Sequence, residues 1–145
     1  MKRDLGDGYE LDDDPSRVDR EAVHAYLTRS YWAEGRSRET QDALIDSAAR
    51  VVGLYLGAEQ VGFSRAISDG HVQSYLADVY VLEEHRGRGL SKAMLANLHG
   101  HPELQGLRRW LLFTRDAHEL YAQFGWEPLA HPERAMLQDH PDIYQ

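Results

Sequence analysis

Asp78-Val-Tyr-Val-Leu-Glu-Glu-His-Arg-Gly-Arg-Gly-Leu-Ser-Lys92 reads as a strand, a short loop and the start of a helix. From Tyr75 to Leu82 apolar and aromatic residues surround a single Asp, the composition of a strand buried on both faces. From Leu90 onward, Leu90, Met94, Leu95 and Leu98 recur at helical spacing. Between them lies Arg86-Gly-Arg-Gly-Leu-Ser91, at the point where a new helix leaves several backbone N–H groups without partners. Glycine turns freely and lets a ligand approach the backbone closely. Unpaired N–H groups at the positive end of a helix dipole attract phosphate. Arg86, Arg88 and Lys92 add positive charge, with Glu83 and Glu84 just upstream. The stretch is read as a pyrophosphate cradle.

Two common phosphate loops are set aside. The Walker pattern requires Gly-Lys-Ser/Thr, whereas here Ser91 precedes Lys92. The dinucleotide fingerprint requires a third glycine where this chain has Lys92. What remains is Arg-x-x-Gly-x-small, filled by Arg86, Gly89 and Ser91. This resembles the acetyl-CoA loop of the GNAT superfamily of N-acetyltransferases, with Ser91 at a position usually Gly or Ala.

A second stretch carries the same resemblance. In Thr114-Arg-Asp-Ala-His-Glu-Leu-Tyr-Ala-Gln-Phe-Gly-Trp126, Ala117, Leu120, Tyr121 and Phe124 form one helical face. Asp116 and Glu119 have capping-box spacing, Gly125 ends the helix, and a further strand is expected from Trp126. Ala117, Leu120, Tyr121 and Gly125 match the GNAT signature Ala-x-x-Leu-Tyr-x-x-x-Gly-Phe, with Trp126 as the aromatic and Thr114 where the family often has Asn. The resemblance spans roughly residues 51–129.

At 145 residues, with 42% hydrophobic and 28% charged residues, one soluble domain over 1–145 is expected. The absence of cysteine excludes disulfides, thiolate metal sites and a cysteine-bound acyl intermediate. A net charge of −8 argues against nucleic-acid binding. No apolar run has membrane-spanning length and no signal-peptide core is visible, so the cytoplasm is the expected compartment. His99-Gly-His101 lacks a third ligand at a helical or hairpin spacing, and no metal is expected.

In chain order the expected elements begin with an edge strand near residues 8–14. A helix opens at Asp14-Pro15 or Ser16, with Val18, Ala22, Val23, Tyr26 and Leu27 inward. The loop Ser30–Arg38 exposes Tyr31 and Trp32, either as a plug between helices or as the wall of an acceptor pocket. A second helix covers about 39–49, with Leu44, Ile45 and Ala48 inward. Strands follow at 50–56, 61–68 and 72–82, the last pair joined by the hairpin turn Ser68-Asp-Gly-His71. A central strand is expected at 109–114.

The resemblance implies an α/β acyl-CoA N-acyltransferase fold, a mixed and mostly antiparallel sheet with helices on both faces. It implies transfer of acetyl from acetyl-CoA to a primary amine of a small molecule or peptide. The cofactor-binding residues are then Arg86, Gly87, Arg88, Gly89, Leu90 and Ser91 for pyrophosphate. The backbone of Val79, Tyr80 and Val81, with Thr114, Ala117 and Tyr121, serves the pantetheine arm and its thioester. Tyr121 matches the family's general acid, though it also reads as a core residue beside Leu120 and Phe124. Asp78 is the candidate base, relaying a proton through water, or a structural carboxylate; Glu34, His71 and His118 are alternatives. Other readings are a different acyl donor, such as succinyl-CoA, or a non-catalytic acyl-CoA-binding domain. Tyr31, Trp32 and the tail 131–145 either pack against a second copy or fold back.

Overall fold

A computed structural model describes residues 1–144. Six strands lie side by side in chain order: β1 (Lys2–Gly6), β2 (Tyr9–Asp12), β3 (Arg50–Leu56), β4 (Glu59–Ser68), β5 (Gln73–Val81) and β6 (Arg109–Leu111). Neighbours are antiparallel except β5 and β6, which run parallel, so the sheet is mixed as expected. The helices are α1 (Arg20–Leu27), α2 (Arg38–Ser47), α3 (Leu90–His99) and α4 (His118–Ala122). The chain divides into two compact units, Met1–Leu112 and the part from Phe113 onward.

In the first unit, Val51, Phe63 and Tyr80 join Val23, Leu27 and Ile45 of α1 and α2 in one buried cluster. Alternation along the strands sends Val52 and Leu54 to the opposite face, where they too are buried. Helix α3 contacts β3, β4 and β5 and buries Leu90, Met94, Leu95 and Leu98, none of which belongs to that cluster. Helices therefore cover both faces, and the central strands are apolar on both sides.

Several boundaries differ from the sequence reading. Pro15 opens only a 3-10 turn, Pro15–Arg17, because the Asp14 side chain accepts from the Ser16 N–H. The helix proper starts after Asp19, whose carboxylate accepts from the Ala22 N–H. In α2 the buried pair is Gln41 and Ile45, with Leu44 only half-buried. The strand expected at 109–114 shrinks to three residues and lies at the sheet's edge, not its centre. It pairs with β5 only at Gln73, Ser74 and Tyr75.

In the second unit no strand forms from Trp126 among the described residues. Asp116 does not cap α4. Instead the Ala117 N–H donates to Thr114 Oγ1 at 3.1 Å, which shortens the helix to His118–Ala122. Gly125, at φ +86°, closes it as expected, with the Trp126 N–H donating to the Tyr121 carbonyl.

Candidate functional site

The glycine loop forms as a turn on two left-handed residues, Gly87 at φ +81° and Gly89 at φ +78°. Both conformations are open to glycine and strained for other residues. Gly89 is the N-cap of α3 and offers no side chain to the first helical turn. The first N–H bonded into the helix is that of Ala93, to the Gly89 carbonyl. The N–H groups of residues 87–92 meet no acceptor among the described residues, two more than the four orphans usual at a helix start. A Cβ placed on Gly87 or Gly89 would meet open space within 4 Å. A run of unsatisfied donors at the positive end of a ten-residue helix, with room in front, is chemistry suited to a phosphate.

The arginines of this loop divide their tasks. Arg86 Nε donates to the Val81 carbonyl at 2.9 Å and its Nη2 to the Tyr26 hydroxyl at 3.1 Å. It thus joins the end of β5, the loop and α1. Tyr26 in turn stacks on Tyr80, with centroids 4.0 Å apart and planes 13° from parallel. Arg88 is exposed and lies over the Tyr9 ring at 5.5 Å. Tyr9 shares a 2.7 Å hydrogen bond with His85 Nδ1, and His85 Nε2 lies 3.4 Å from Glu59.

Upstream, β5 carries a bulge. Phe63 pairs with Tyr80 and Arg65 with Ala77, so Asp78 and Val79 together oppose Ser64. Asp78 takes the left-handed conformation, φ +56°, which Asp tolerates better than most residues. Since β6 accompanies β5 no further than Tyr75, no strand pairs with the outer edge of β5 from Leu76 to Val81 among the described residues. The backbone of Val79 and Tyr80 therefore borders an open sheet edge, while the Val81 carbonyl is already taken by Arg86.

The Asp78 carboxylate, 5% exposed, lies in a network of donors. Oδ1 accepts from Trp32 Nε1 at 2.9 Å. Oδ2 accepts from Arg65 Nε at 2.6 Å and from Arg36 Nη1 at 2.9 Å. Arg36 Nη1 also donates to Gln41 Oε1 at 3.0 Å. Burial pushes the Asp78 carboxyl up, but the charges of Arg65 and Arg36 and the hydrogen bonds from Arg65 and Trp32 outweigh it. They hold the group below the usual carboxylate range. Loop 30–38 is thereby fastened to the bulge, with Trp32 still 38% exposed.

Thr114, Ala117 and Tyr121 belong to the second unit. Thr114 holds the Ala117 N–H, and Ala117 accepts from the N–H groups of Leu120 and Tyr121. Tyr121 is buried and its ring lies 6.0 Å from that of Trp126. Arg36 and Arg65 escaped the sequence reading, and Tyr26 enters it only as part of the first helix's apolar stripe. A charged residue such as Arg65, inside the apolar run 61–68, needs a buried partner, and the lone Asp of the next strand is its complement.

Residues 47–128 match the family model described as Acetyltransferase (GNAT) domain. A Xanthomonas campestris protein assigned to the GNAT family, known from a crystal structure, is 39% identical. The match covers 94% of this chain and 96% of that one, with a TM-score of 0.90. A structure from Deinococcus radiodurans is 20% identical over 99% of this chain and 96% of that one, TM-score 0.76, a likeness of fold. A Gibberella zeae protein named as a candidate acetyltransferase is 46% identical over 68 residues, 45% of this chain and 37% of that one. The matched segment therefore spans little more than a third of the Gibberella protein's length.

Proposed function

The chain belongs to the GNAT acetyltransferase family, and from that premise we propose that it transfers acetyl from acetyl-CoA directly to a primary amine of a small molecule or peptide. One observation carries the reading: among the described residues the N–H groups of residues 87–92 meet no acceptor at the start of α3, and no strand pairs with the outer edge of β5 just before them. The first feature suits a pyrophosphate, the second an amide-bearing arm laid along a strand edge. Gly87 to Ser91 would hold the pyrophosphate, with Arg88 adding charge from the surface. Arg86 would brace the cradle, given its bonds to Val81 and Tyr26. Val79 and Tyr80 would align the arm, with Thr114 and Ala117 shaping the turn ahead of Tyr121.

The co-substrate supplies an activated thioester, and the chain's residues manage position and protons. A lysine-like amine has a pKa of ~10 and must lose a proton before attack, while the departing thiolate must gain one. Tyr121 is the proposed donor to the thiolate. Asp78 fits the base less well: both its oxygens are engaged and its carboxyl is held low, which makes it a weak proton acceptor at neutral pH. We assign it a positioning role at the bulge. With no cysteine in the chain, no cysteine-bound acetyl intermediate is available, which favours direct transfer.

Titration calorimetry of acetyl-CoA, with dephospho-CoA and free adenosine nucleotides as controls, tests the reading. Micromolar binding, weakened by Gly89→Glu, is expected. No binding by a folded sample overturns it.

A further inference from the structure

Around the β5 bulge, donors outnumber acceptors. The two Asp78 oxygens accept from Trp32, Arg36 and Arg65, and Gln41 Oε1 accepts from Arg36. Two groups of donors are then left over. Gln41, fully buried, has its Nε2 enclosed with no partner among the described residues. Arg65, 5% exposed, uses only Nε, and its Nη1 and Nη2 make no hydrogen bond among the described residues. Neither atom is fully enclosed, so the little surface that Arg65 exposes includes the outer edge of its guanidinium. A guanidinium buried in the sheet, fixed at one nitrogen and open at the other two, presents a planar fork.

Arg65 lies opposite Ala77 on β5, a half-buried residue whose methyl group fills little space. Tyr75, two residues earlier on β5, is half-buried, and the partly exposed Trp32 has its indole N–H anchored on the same Asp78. Arg65 is also one bulge away from Val79 and Tyr80, the segment assigned above to the acyl donor's arm. A fork of two N–H-bearing nitrogens matches a carboxylate in bidentate fashion, and a buried Arg without its full set of acceptors favours an anion over a cation.

Resting on the acetyl-transfer reading, we propose that the acceptor is a small amine that also carries a carboxylate, an amino-acid-like molecule, and that Arg65 binds that carboxylate. Asp78 and Trp32 are positioning residues: they fix the guanidinium and the wall beside it. The protein's overall charge of −8 would repel a small acid in general, which makes one inward cation at the acceptor side a selective device.

Matched triplets of acceptors test this: amino acids, their carboxamides and the corresponding decarboxylated amines, with aminoalkyl phosphates alongside. Turnover is read as thiol release from acetyl-CoA, free of background because the chain has no cysteine. For wild type, kcat/KM is expected to be about tenfold or more higher for the carboxylate member of each triplet, the scale of a charge-assisted hydrogen-bonded pair. Arg65→Gln should erase that preference, read as the ratio between members of a triplet within the same variant, and Arg65→Lys should restore part of it. Equal or better turnover of the neutral amines by wild type overturns the proposal without needing any variant to fold. So does a preference that survives Arg65→Gln, or one for phosphate over carboxylate. Acetyl-CoA binding, measured separately, distinguishes these failures from failure of the reading beneath: if the thioester does not bind, acetyl transfer itself is wrong.

Discussion

Arg65 Nε lies 2.6 Å from Asp78 Oδ2, so an ion pair ties β4 to β5 at the position where β5 carries one residue more than its partner. The pair has two jobs. It neutralises a carboxylate that burial would otherwise protonate, and it stabilises a left-handed residue inside a strand. With Arg36 and Trp32 on the same carboxylate, the bulge and loop 30–38 form one unit.

Asp78→Asn isolates the charge, since Asn accepts the left-handed conformation equally well. It leaves the buried Arg36 and Arg65 without their anion, and a loss of about 3–5 kcal/mol in unfolding free energy is expected. The sign with pH follows from the depressed pKa. Asp78's contribution is fully present above its unfolded pKa of ~3.9 and is lost as pH falls through the lower folded value. Urea titrations of both proteins should therefore show the full gap at pH 7 and a closing gap in acid. A gap of the same size below the folded pKa would assign the effect to shape and not charge.

Arg86 and Arg88 are two residues apart in one loop, yet their variants should differ in kind. Arg86→Ala removes hydrogen bonds to the Val81 carbonyl and the Tyr26 hydroxyl and should cost about 1–2 kcal/mol of stability. Arg88→Ala touches only an exposed cation over Tyr9 and should stay within about 0.5 kcal/mol of wild type. Acetyl-CoA affinity should fall in both. Salt should weaken binding less in Arg88→Ala than in wild type, because a screened contact has been removed. Equal melting curves for the two variants would remove Arg86's bracing role.

Gly89 and Gly87 offer a matched control. Both have positive φ and open space where a Cβ would go. An alanine at either site should cost a similar ~1–2 kcal/mol through backbone strain alone. Gly89→Glu also puts bulk and negative charge against the donors at the start of α3, and acetyl-CoA affinity should drop by about tenfold or more. Calorimetry on both variants separates the effects. Affinity loss in Gly89→Glu no greater than in Gly87→Ala would argue against a cradle there.

Much of this was legible because its signals are local. The apolar run before Arg86, the glycines at 87 and 89 and the spacing of Leu90, Met94, Leu95 and Leu98 gave strand, turn and helix with boundaries close to those observed. What escaped depended on contacts distant in sequence. Nothing local reveals that Arg36, Trp32 and Arg65 meet at Asp78, because their separations run from 13 to 46 residues. Nor does local pattern give the bulge, which exists only relative to a partner strand. The run 109–114 is as apolar as a central strand, yet only Arg109–Leu111 pairs, with Gln73–Tyr75 at the sheet's edge. At α4, Asp116 and Glu119 have capping-box spacing, but Thr114 bonds the Ala117 N–H and sets the helix start.

Tyr121→Phe bears most directly on the chemistry. Tyr121 is buried, with its ring 6.0 Å from Trp126, and phenylalanine keeps the ring while deleting the hydroxyl. Stability should change by no more than about 1.5 kcal/mol, the scale of one hydrogen bond. If the loop 86–91 and the edge of β5 hold acetyl-CoA as proposed, its affinity should remain within about twofold of wild type. If the phenol protonates the departing thiolate, kcat should fall by roughly 10²–10⁴-fold, the usual contribution of a general acid. That combination, intact fold and binding with lost turnover, separates an acid from a packing residue, because a packing defect would lower the melting temperature with it. Unchanged turnover across several amines would remove Tyr121 as the acid and leave its ring as part of the second unit's core.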